Sequence, residues 1–360
     1  MTSIKVLRVI YDLQIGGVQR MLLLSLPILR DMGIESEICC LKEEGDMADS
    51  FRDKGFPVHC IPFSSRLDPI GLWKLNRLAK KRNIQVVQSH MYASNIAANY
   101  AFLFSRKIRV INNYHSQNPF YNRSQRRNAR ITRNVPSAYI AVSEAVKEPL
   151  LKNNLPENKI HIIHNGVECP DAAAPFPDRS PGEPLHIVWA GRFVKQKRTP
   201  MVAEIMAECL EQDLDVKITM VGDGPRFGEM KGIIRKMNLE GHIRLEGWQS
   251  DIRPCVRDAD VYISTSRREG FPNTLLEVCA QGRGFIVSDI PPHHEVLGNS
   301  EAGYIVSDEV SGWVSKIEEI SNNRAKIRQM GKEAFRIAQQ FTVQNTCRKT
   351  GELYQRILKP

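Results

Sequence analysis

The sequence predicts an α/β protein built from two doubly wound parallel sheets, one in each half of a 360-residue chain. Short apolar runs alternate with amphipathic segments from end to end, a proline-rich stretch breaks that alternation near the middle, and the same alternation then restarts. A chain of this length suits two domains of roughly 150 to 180 residues better than one core.

In the first half, KVLRVI, SEICCL, VHCIP, IQVVQSH, RVINNYH and AYIAVS read as strands, each followed by a helical pattern. Residues 1–168 therefore form a first Rossmann-like domain. Residues 169–184, CPDAAAPFPDRSPGEP, carry five prolines and read as a linker. LHIVWAG, KITMVG, IRLEG, DVYIST and GFIVSD are the strands of a second Rossmann-like domain over residues 185–342, and residues 343–360 hold a last helix. Two such halves facing each other bring the carboxyl ends of their strands to a central cleft, where open α/β sheets bind ligands.

Composition narrows the class. Hydrophobic residues make up 42% and charged residues 25%, the balance of a globular protein in water. The longest apolar run, Met21 to Leu29, is broken by Ser25 and Pro27 and is too short to span a bilayer. The N-terminus MTSIKVLRVIYDL reads as a first strand rather than a signal peptide, so a cytoplasmic location is expected. Eight cysteines, none in a CxxC pattern, fit free thiols, with Cys39, Cys40, Cys209 and Cys279 in apolar or helical runs. The sequon Asn122-Arg123-Ser124 has no use in that compartment. No G-x-G-x-x-G or G-x4-GK[ST] is present, which argues against a dinucleotide dehydrogenase and a P-loop hydrolase. Two Asp-x-Asp strings, Asp213 to Asp215 and Asp258 to Asp260, sit at turn and strand-start positions and read as turn or capping residues rather than metal ligands.

The net charge of +10 lies wholly in the first part of the chain, where residues 1–169 hold 24 Lys+Arg against 14 Asp+Glu and the remainder 26 against 26. Between Pro69 and Ser143 there are 13 basic residues and no acidic one. Arg123, Arg126, Arg127, Arg130 and Arg133 fall within an arc of about 120° on a helix. A cationic face without interleaved glutamates asks for an anionic partner, an anionic membrane surface or the phosphates of a lipid-linked acceptor, the alternative being a plain solvated face. Nucleic acid is not expected, because no nucleic-acid motif accompanies the charge. The helix from Ile70 to Arg82, with Trp73, reads as an ordinary sheet-covering helix.

The most informative segment is Glu269-Gly270-Phe271-Pro272-Asn273-Thr274-Leu275-Leu276-Glu277. Glycine and proline mark a turn, Pro272 suits the first turn of a helix, and the helix ends at Gly282. The amides of that first turn would face an anion. Glu277 is placed to accept two hydrogen bonds from vicinal ribose hydroxyls, and Glu269 to reach a sugar hydroxyl. Gly16 and Gly17 follow the first strand and open a helix, letting backbone amides approach a ligand. Gly191-Arg192-Phe193-Val194-Lys195-Gln196-Lys197 follows the strand HIVWA, and His90 and His115 each end a strand of the first half.

The string EGFPNTLLE resembles the EX7E signature of retaining glycosyltransferases of the GT-B fold, in particular family 4. AVSEAV, HNGVE, MVGDGP, LEGW and EVL continue the resemblance along the chain in family order. It implies transfer of a sugar from a nucleotide donor, expected to be a UDP-sugar, to a membrane-associated glycan or a polyprenyl or lipid-linked acceptor in cell-envelope polysaccharide or lipopolysaccharide synthesis. The enzyme would work at the inner face of the membrane. Arg192 and Lys197 match the family's G-R-x4-K pattern and would clamp the donor diphosphate, in place of a divalent metal, so neither metal nor cofactor is expected. His115 matches the strand-end histidine beside the reacting carbon, and His90 a second histidine lining the acceptor side. Gly16 and Gly17 match the loop touching donor phosphate or acceptor. Gly222 and Trp248 border the base, and Gly270, Phe271, Pro272, Asn273 and Thr274 complete the donor site. The last helix would cross back onto the first domain.

One departure stands out. Pro291-Pro292-His293-His294-Glu295 occupies the place where the family usually has a glycine pair before its glutamate, which makes the loop near the sugar stiff and bulky. Two other readings stay open from sequence: another GT-B activity such as a nucleotide-sugar epimerase, and a catalytically silent protein of this fold that binds anionic lipid or nucleic acid.

Overall fold

A computed structural model of the chain describes residues 3–180 and 182–359. Its first strand, β1 (Ile4–Ile10), is buried on both faces from Val6 to Ile10, as a central strand of a parallel sheet must be. Around it lie β2 (Ile34–Cys40), β3 (Val58–Cys60), β4 (Val86–His90), β5 (Arg109–Tyr114), β6 (Ala138–Ala141) and β7 (Ile160–Ile162), in the order β3-β2-β1-β4-β5-β6-β7. Every pairing is parallel. The order reverses between β1 and β4, so the ends of those strands form a switch point.

Helices α1 (Gly17–Asp31), α2 (Ala48–Asp53), α3 (Pro69–Lys81), α4 (Met91–Ala101), α5 (Arg123–Ile131) and α6 (Glu144–Lys152) connect these strands. Two apolar clusters flank the sheet, one with Leu22, Leu26 and Leu29 of α1, the other with Leu75 and Ala79 of α3 and Ala97 and Ala98 of α4.

The second sheet contains β8 (Leu185–Ala190), β9 (Val216–Val221), β10 (Ile243–Gly247), β11 (Val261–Ser264), β12 (Gly284–Ser288) and β13 (Gly303–Val306), ordered β10-β9-β8-β11-β12-β13 and again parallel throughout. Its helices are α7 (Pro200–Glu211), α8 (Phe227–Lys236), α9 (Arg253–Asp258), α10 (Asn273–Ala280), α11 (Pro291–Leu297), α12 (Val310–Ser321) and α13 (Arg324–Gln340). The chain ends in α14 (Val343–Leu358).

The chain divides into two compact units: one runs to Gly166 and takes back the chain from Val343, and the other is Val167–Thr342. Helix α14 belongs to the first, where Val343, Cys347, Leu353 and Tyr354 join the cluster around α1. A polar contact fixes it deeper. Arg8, buried in β1, donates to Gln88 of β4, and the Tyr354 hydroxyl donates to the same Gln88 oxygen, with the Arg8 guanidinium 5.5 Å from the Tyr354 ring centre.

Three sequence expectations need correction. Residues 169–184 form no free linker, because the described part lies against the second unit. Buried Arg283 donates to the carbonyls of Ala174 and Pro175, at 3.1 and 2.7 Å, and sits 4.5 Å from the Phe176 ring centre. The same guanidinium also bonds the carbonyls of Ala259, Gln281 and Arg257. The sheets are each one strand wider than the sequence suggested. The additions, β7 and β13, are edge strands of 3 and 4 residues, too short for alternation to register. Finally, α5 stops at Ile131, so Arg133 lies in the turn beyond it.

Five of the eight free cysteines are buried: Cys39, Cys40, Cys209 and Cys279, as expected, and Cys347. Among the described residues no helix is long and apolar enough to cross a membrane.

Candidate functional site

In the second unit the site is built where three strand-end loops crowd together. After β8, Phe193 is fully buried between Trp189 (4.8 Å) and Phe227 (5.1 Å), both edge-on, and this anchor leaves Arg192 exposed on the loop crest. The Phe193 amide donates to the Asp223 carbonyl, clasping this loop to the one after β9. Gly222 has φ +136°, and a Cβ there would lie 1.9 Å from the Gly191 carbonyl oxygen, so only glycine fits. Its amide reaches the Gly247 carbonyl at 2.7 Å, bringing in the loop that carries half-exposed Trp248.

Lys195, Gln196 and Lys197 form a single 3-10 turn whose backbone is zipped to the loop after β11. The Thr265 hydroxyl donates to the Lys197 carbonyl at 2.9 Å, and the Arg267 amide donates to the Gln196 carbonyl at 2.8 Å. That zipper directs Lys197 inward and leaves Lys195 exposed, a difference that spacing alone does not show. Lys197 Nζ donates to Glu269 Oε1 at 2.6 Å, and the Ser266 hydroxyl donates to the same oxygen at 2.7 Å. Both charged side chains are nearly shut from water, 15% and 11% exposed.

Burial is the largest influence on the Glu269 carboxyl and would raise it. The Lys197 charge and hydrogen bond, the Ser266 hydroxyl and His293 outweigh it and hold the group below its ordinary value. The carboxylate is ionised at neutral pH, and the ammonium keeps two further N–H groups for an anion.

The segment from Glu269 then turns into α10. Pro272 is the residue just before the helix rather than within its first turn, and Asn273 is the first helical residue, with no side-chain cap. Phe271 is buried against Phe341 at 5.5 Å, while Gly270, Asn273 and Thr274 are partly exposed. Glu277, on the second turn, is also partly exposed. The helix closes at Gly282, φ +67°, with the Gly282 amide bonding the Cys279 carbonyl and the Arg283 amide that of Val278, the pattern of a Schellman cap.

In the first unit, His90 ends β4 and His115 follows β5, and parallel pairing sets these strand ends side by side. Their rings stack at 5.4 Å, and His90 Nδ1 lies 3.1 Å from His115 Nε2. Sequence reasoning assigned the two to different tasks; the fold makes them one pair. Burial, then the neighbouring His115 and Arg8, pushes His90 well below its ordinary value, and burial pushes His115 down to about 4, so both are neutral at pH 7. One nitrogen of the pair must donate to the other. The two outer nitrogens, His90 Nε2 and His115 Nδ1, have no partner among the described residues, and whichever tautomer holds, one is a donor and the other an acceptor.

Beneath the pair lies a buried network that sequence reading missed. Gln88 donates to Asn113, Ser89 to Asn95 and Asn112, Asn112 to Asn99, and Asn99 to Thr132 at the end of α5. Asparagines inside strands carry a weak sequence signal, since each alone reads as a surface residue. Met91, directly after His90, has φ +68°, a strained conformation for a non-glycine residue beside a candidate site.

Gly16 precedes α1 in an extended conformation and Gly17 is its exposed first residue, with no side-chain cap. Arg123, Arg126, Arg127 and Arg130 project from α5 and are exposed, as is Arg133 beyond it. Arg126, Arg130 and Lys152, with Phe120 and Pro149, line a cavity of about 230 Å³. Asp260 is a buried structural carboxylate, accepting from the His186 amide at 2.9 Å and from Arg324 at 3.0 Å. Among the described residues no cluster of three His, Cys, Asp or Glu is placed to hold a metal ion.

With this geometry in place, comparison with known proteins is decisive about family. The model of glycosyl transferases group 1 matches residues 172–336, and that of Glycosyltransferase Family 4 matches residues 15–169. The chain belongs to glycosyltransferase family 4, with the GT-B fold. The glycosyltransferase of Rickettsia africae superposes over 100% of both chains with a TM-score of 0.87 at 22% identity. Anabaena HepE, solved in complex with UDP, covers 98% of this chain and 100% of its own with a TM-score of 0.83 at 17% identity. The Escherichia coli UDP-Gal:alpha-D-GlcNAc-diphosphoundecaprenol alpha-1,3-galactosyltransferase is 23% identical over 335 residues, 86% of either chain. Relatives of this glycosyltransferase thus include enzymes of cell-envelope polysaccharide synthesis.

The buried histidines give the glycosyltransferase a pH signature. An unfolded imidazole takes up its proton near pH 6.5, whereas native His115 and His293 do so only near 4. The unfolded state binds more protons across that window, so stability falls as pH falls from about 6.5 to about 4. Glu269 acts in the same sense but lower: its stabilisation is full above the ordinary carboxylate value, about 4.3, and is lost as pH falls through its depressed native value. Melting temperature measured by circular dichroism from pH 7 to 3 should decline throughout. His115→Gln should flatten the upper part, and Glu269→Gln only the part below about 4.5; an unchanged slope in His115→Gln contradicts the assignment.

Proposed function

We propose that this glycosyltransferase moves a sugar from a UDP-sugar to a hydroxyl of a lipid-linked glycan, with retention of anomeric configuration and without a metal. The observation that carries the proposal is the buried Lys197–Glu269 pair, with Arg192 exposed on the loop that carries Lys197 and Glu269 shortly before α10. A departing nucleoside diphosphate gains negative charge as the glycosidic bond breaks, and fixed cations in a poorly hydrated site stabilise that charge well. Arg192 and the free N–H groups of Lys197 supply them. Glu269, already bonded through one oxygen, offers the other to a sugar hydroxyl, and Glu277 holds the ribose.

No carboxylate is assigned as a covalent nucleophile. The acceptor hydroxyl oxygen bonds the anomeric carbon on the face the diphosphate leaves, the bond from that carbon to the phosphate oxygen breaks, and the hydroxyl proton passes to the leaving phosphate. His115, neutral and paired with His90, orients the sugar without opposing the positive charge that develops at the anomeric carbon. The UDP complex of HepE supports the choice of nucleotide, and the diphosphoundecaprenol acceptor named for the Escherichia coli relative supports the choice of acceptor class.

The arginines of α5 fit the same reading. They stand exposed with Tyr121 (73% exposed) and Ile131 (61%) at either end of the helix, a cationic face with apolar edges suited to an anionic membrane surface. Each basic residue contributes about 1 kcal/mol near such a surface, enough in sum for reversible docking at the inner leaflet.

Two measurements test this. In a thermal-shift panel of UDP, GDP, ADP and their sugars, the UDP series should raise the melting temperature, by about 2.7 kcal/mol of stabilisation at a hundred times Kd. Glu277→Ala should abolish that shift, Arg192→Ala and Lys197→Ala should lower kcat for transfer into a new glycosidic bond, and His115→Ala should lower turnover more than donor binding. Normal turnover in the Glu277 and Arg192 variants contradicts the site, and sugar interconversion without a new bond indicates an epimerase. Separately, co-sedimentation with phosphatidylglycerol vesicles should fall with salt and with Arg126→Gln/Arg130→Gln, and binding that ignores both contradicts the docking face.

A further inference from the structure

The five-residue segment Pro291 to Glu295 departs from the pattern the resemblance implies, and its central residue is a buried titratable group to which the proposed function gives no task. His293 sits in α11, whose first two residues are prolines, so the backbone carrying it is stiff. The ring is completely buried. Its Nδ1 lies 2.8 Å from the Ser288 carbonyl oxygen, which can only accept, so the proton sits on Nδ1 and Nε2 presents a bare lone pair.

Nε2 has no hydrogen-bond partner among the described residues. Burial, the largest influence, pushes the ring down to about 4, and the smaller influences of Glu269 and Lys197 oppose one another. A chain of hydrogen bonds connects the ring to Glu269 through covalent neighbours. The Ser288 hydroxyl donates to the Ser266 carbonyl, and the Ser266 hydroxyl donates to Glu269. An acceptor sealed from water without a donor is destabilising, a penalty that a ligand hydroxyl would remove.

We propose that His293 Nε2 accepts a hydrogen bond from a hydroxyl of the donor sugar, next to the hydroxyl that Glu269 accepts, and so selects among sugars. This rests on the reading of Glu269 as the sugar-facing carboxylate. Two neighbouring acceptors demand two neighbouring donors, so the pair selects a sugar with adjacent free hydroxyls in one relative orientation. Epimers at either carbon turn one hydroxyl away and leave Nε2 unpaired again. A glycine at this place would carry no side-chain acceptor; here a helix opened by two prolines holds one in place.

The test is calorimetric titration of the full chain with UDP, UDP-glucose, UDP-galactose and UDP-N-acetylglucosamine. His293→Asn keeps a donor for Ser288 and removes the Nε2 acceptor; His293→Gln places an acceptor near the lost one. Asn should weaken the preferred UDP-sugar about tenfold relative to wild type and change UDP less than about twofold, with Gln recovering most of the loss. Equal losses for UDP and UDP-sugar, no loss at all, or no recovery in a folded Gln variant overturns the inference while the donor reading stands. Wild type that binds none of the four overturns both. Should the Asn variant not fold, deoxy analogues of the preferred UDP-sugar decide on wild type. Affinity must drop about tenfold at each of two adjacent positions, and a drop at one position alone overturns the inference.

Discussion

An ammonium and a carboxylate 2.6 Å apart, both almost closed to water, are the constraint on which the second unit's site depends. Removing two such ions from water costs several kcal/mol each, and their attraction offsets this only with good geometry and further hydrogen bonds. The fold supplies those through Ser266 on the carboxylate and through the backbone zipper that fixes Lys197, Thr265 holding its carbonyl and Arg267 the one before it. A buried ion pair is a poor way to gain stability, so its presence at a loop junction points to function. Under the proposed function the pair keeps a charge ready where a diphosphate would leave, and Glu269 keeps that charge from being isolated before a ligand arrives.

The first unit solves a different problem with the same economy of parts. Two neutral imidazoles at neighbouring strand ends share one hydrogen bond and leave one donor and one acceptor over. A positive charge there would be expensive, because Arg8 and the buried setting already oppose it. The asparagine and glutamine network below fixes the strand ends, and through Gln88 it is joined to Tyr354 of the last helix. The C-terminal helix therefore supports the strand that carries His90, which gives a physical reason for the chain to return to its first unit.

Much of this was legible in sequence. Parallel strands buried on both faces, such as β8 and β12, announce themselves as largely apolar runs, and the EGFPNTLLE string locates its turn and helix to within a residue. Edge strands β7 and β13 did not, being too short to carry a pattern. Proline content made residues 169–184 look like a free linker. What ties the described part down is Arg283, more than a hundred residues away, whose burial no local signal reveals. Pairing was equally hidden. Sequence named Lys197, Glu269, His90 and His115 singly, but only the fold shows that each has another as its partner, and His293 stood out in sequence only as a departure from the family pattern.

The central claim is that Lys197 and Glu269 act as one unit on the donor. A double-mutant cycle on kcat/KM with Lys197→Met and Glu269→Gln tests it most directly. If the pair is one device, either single change already disables it, and the double variant should be no worse than the poorer single one, a coupling of about 1 kcal/mol or more. Losses that simply add would show that the two residues serve the reaction independently, and the account would be wrong.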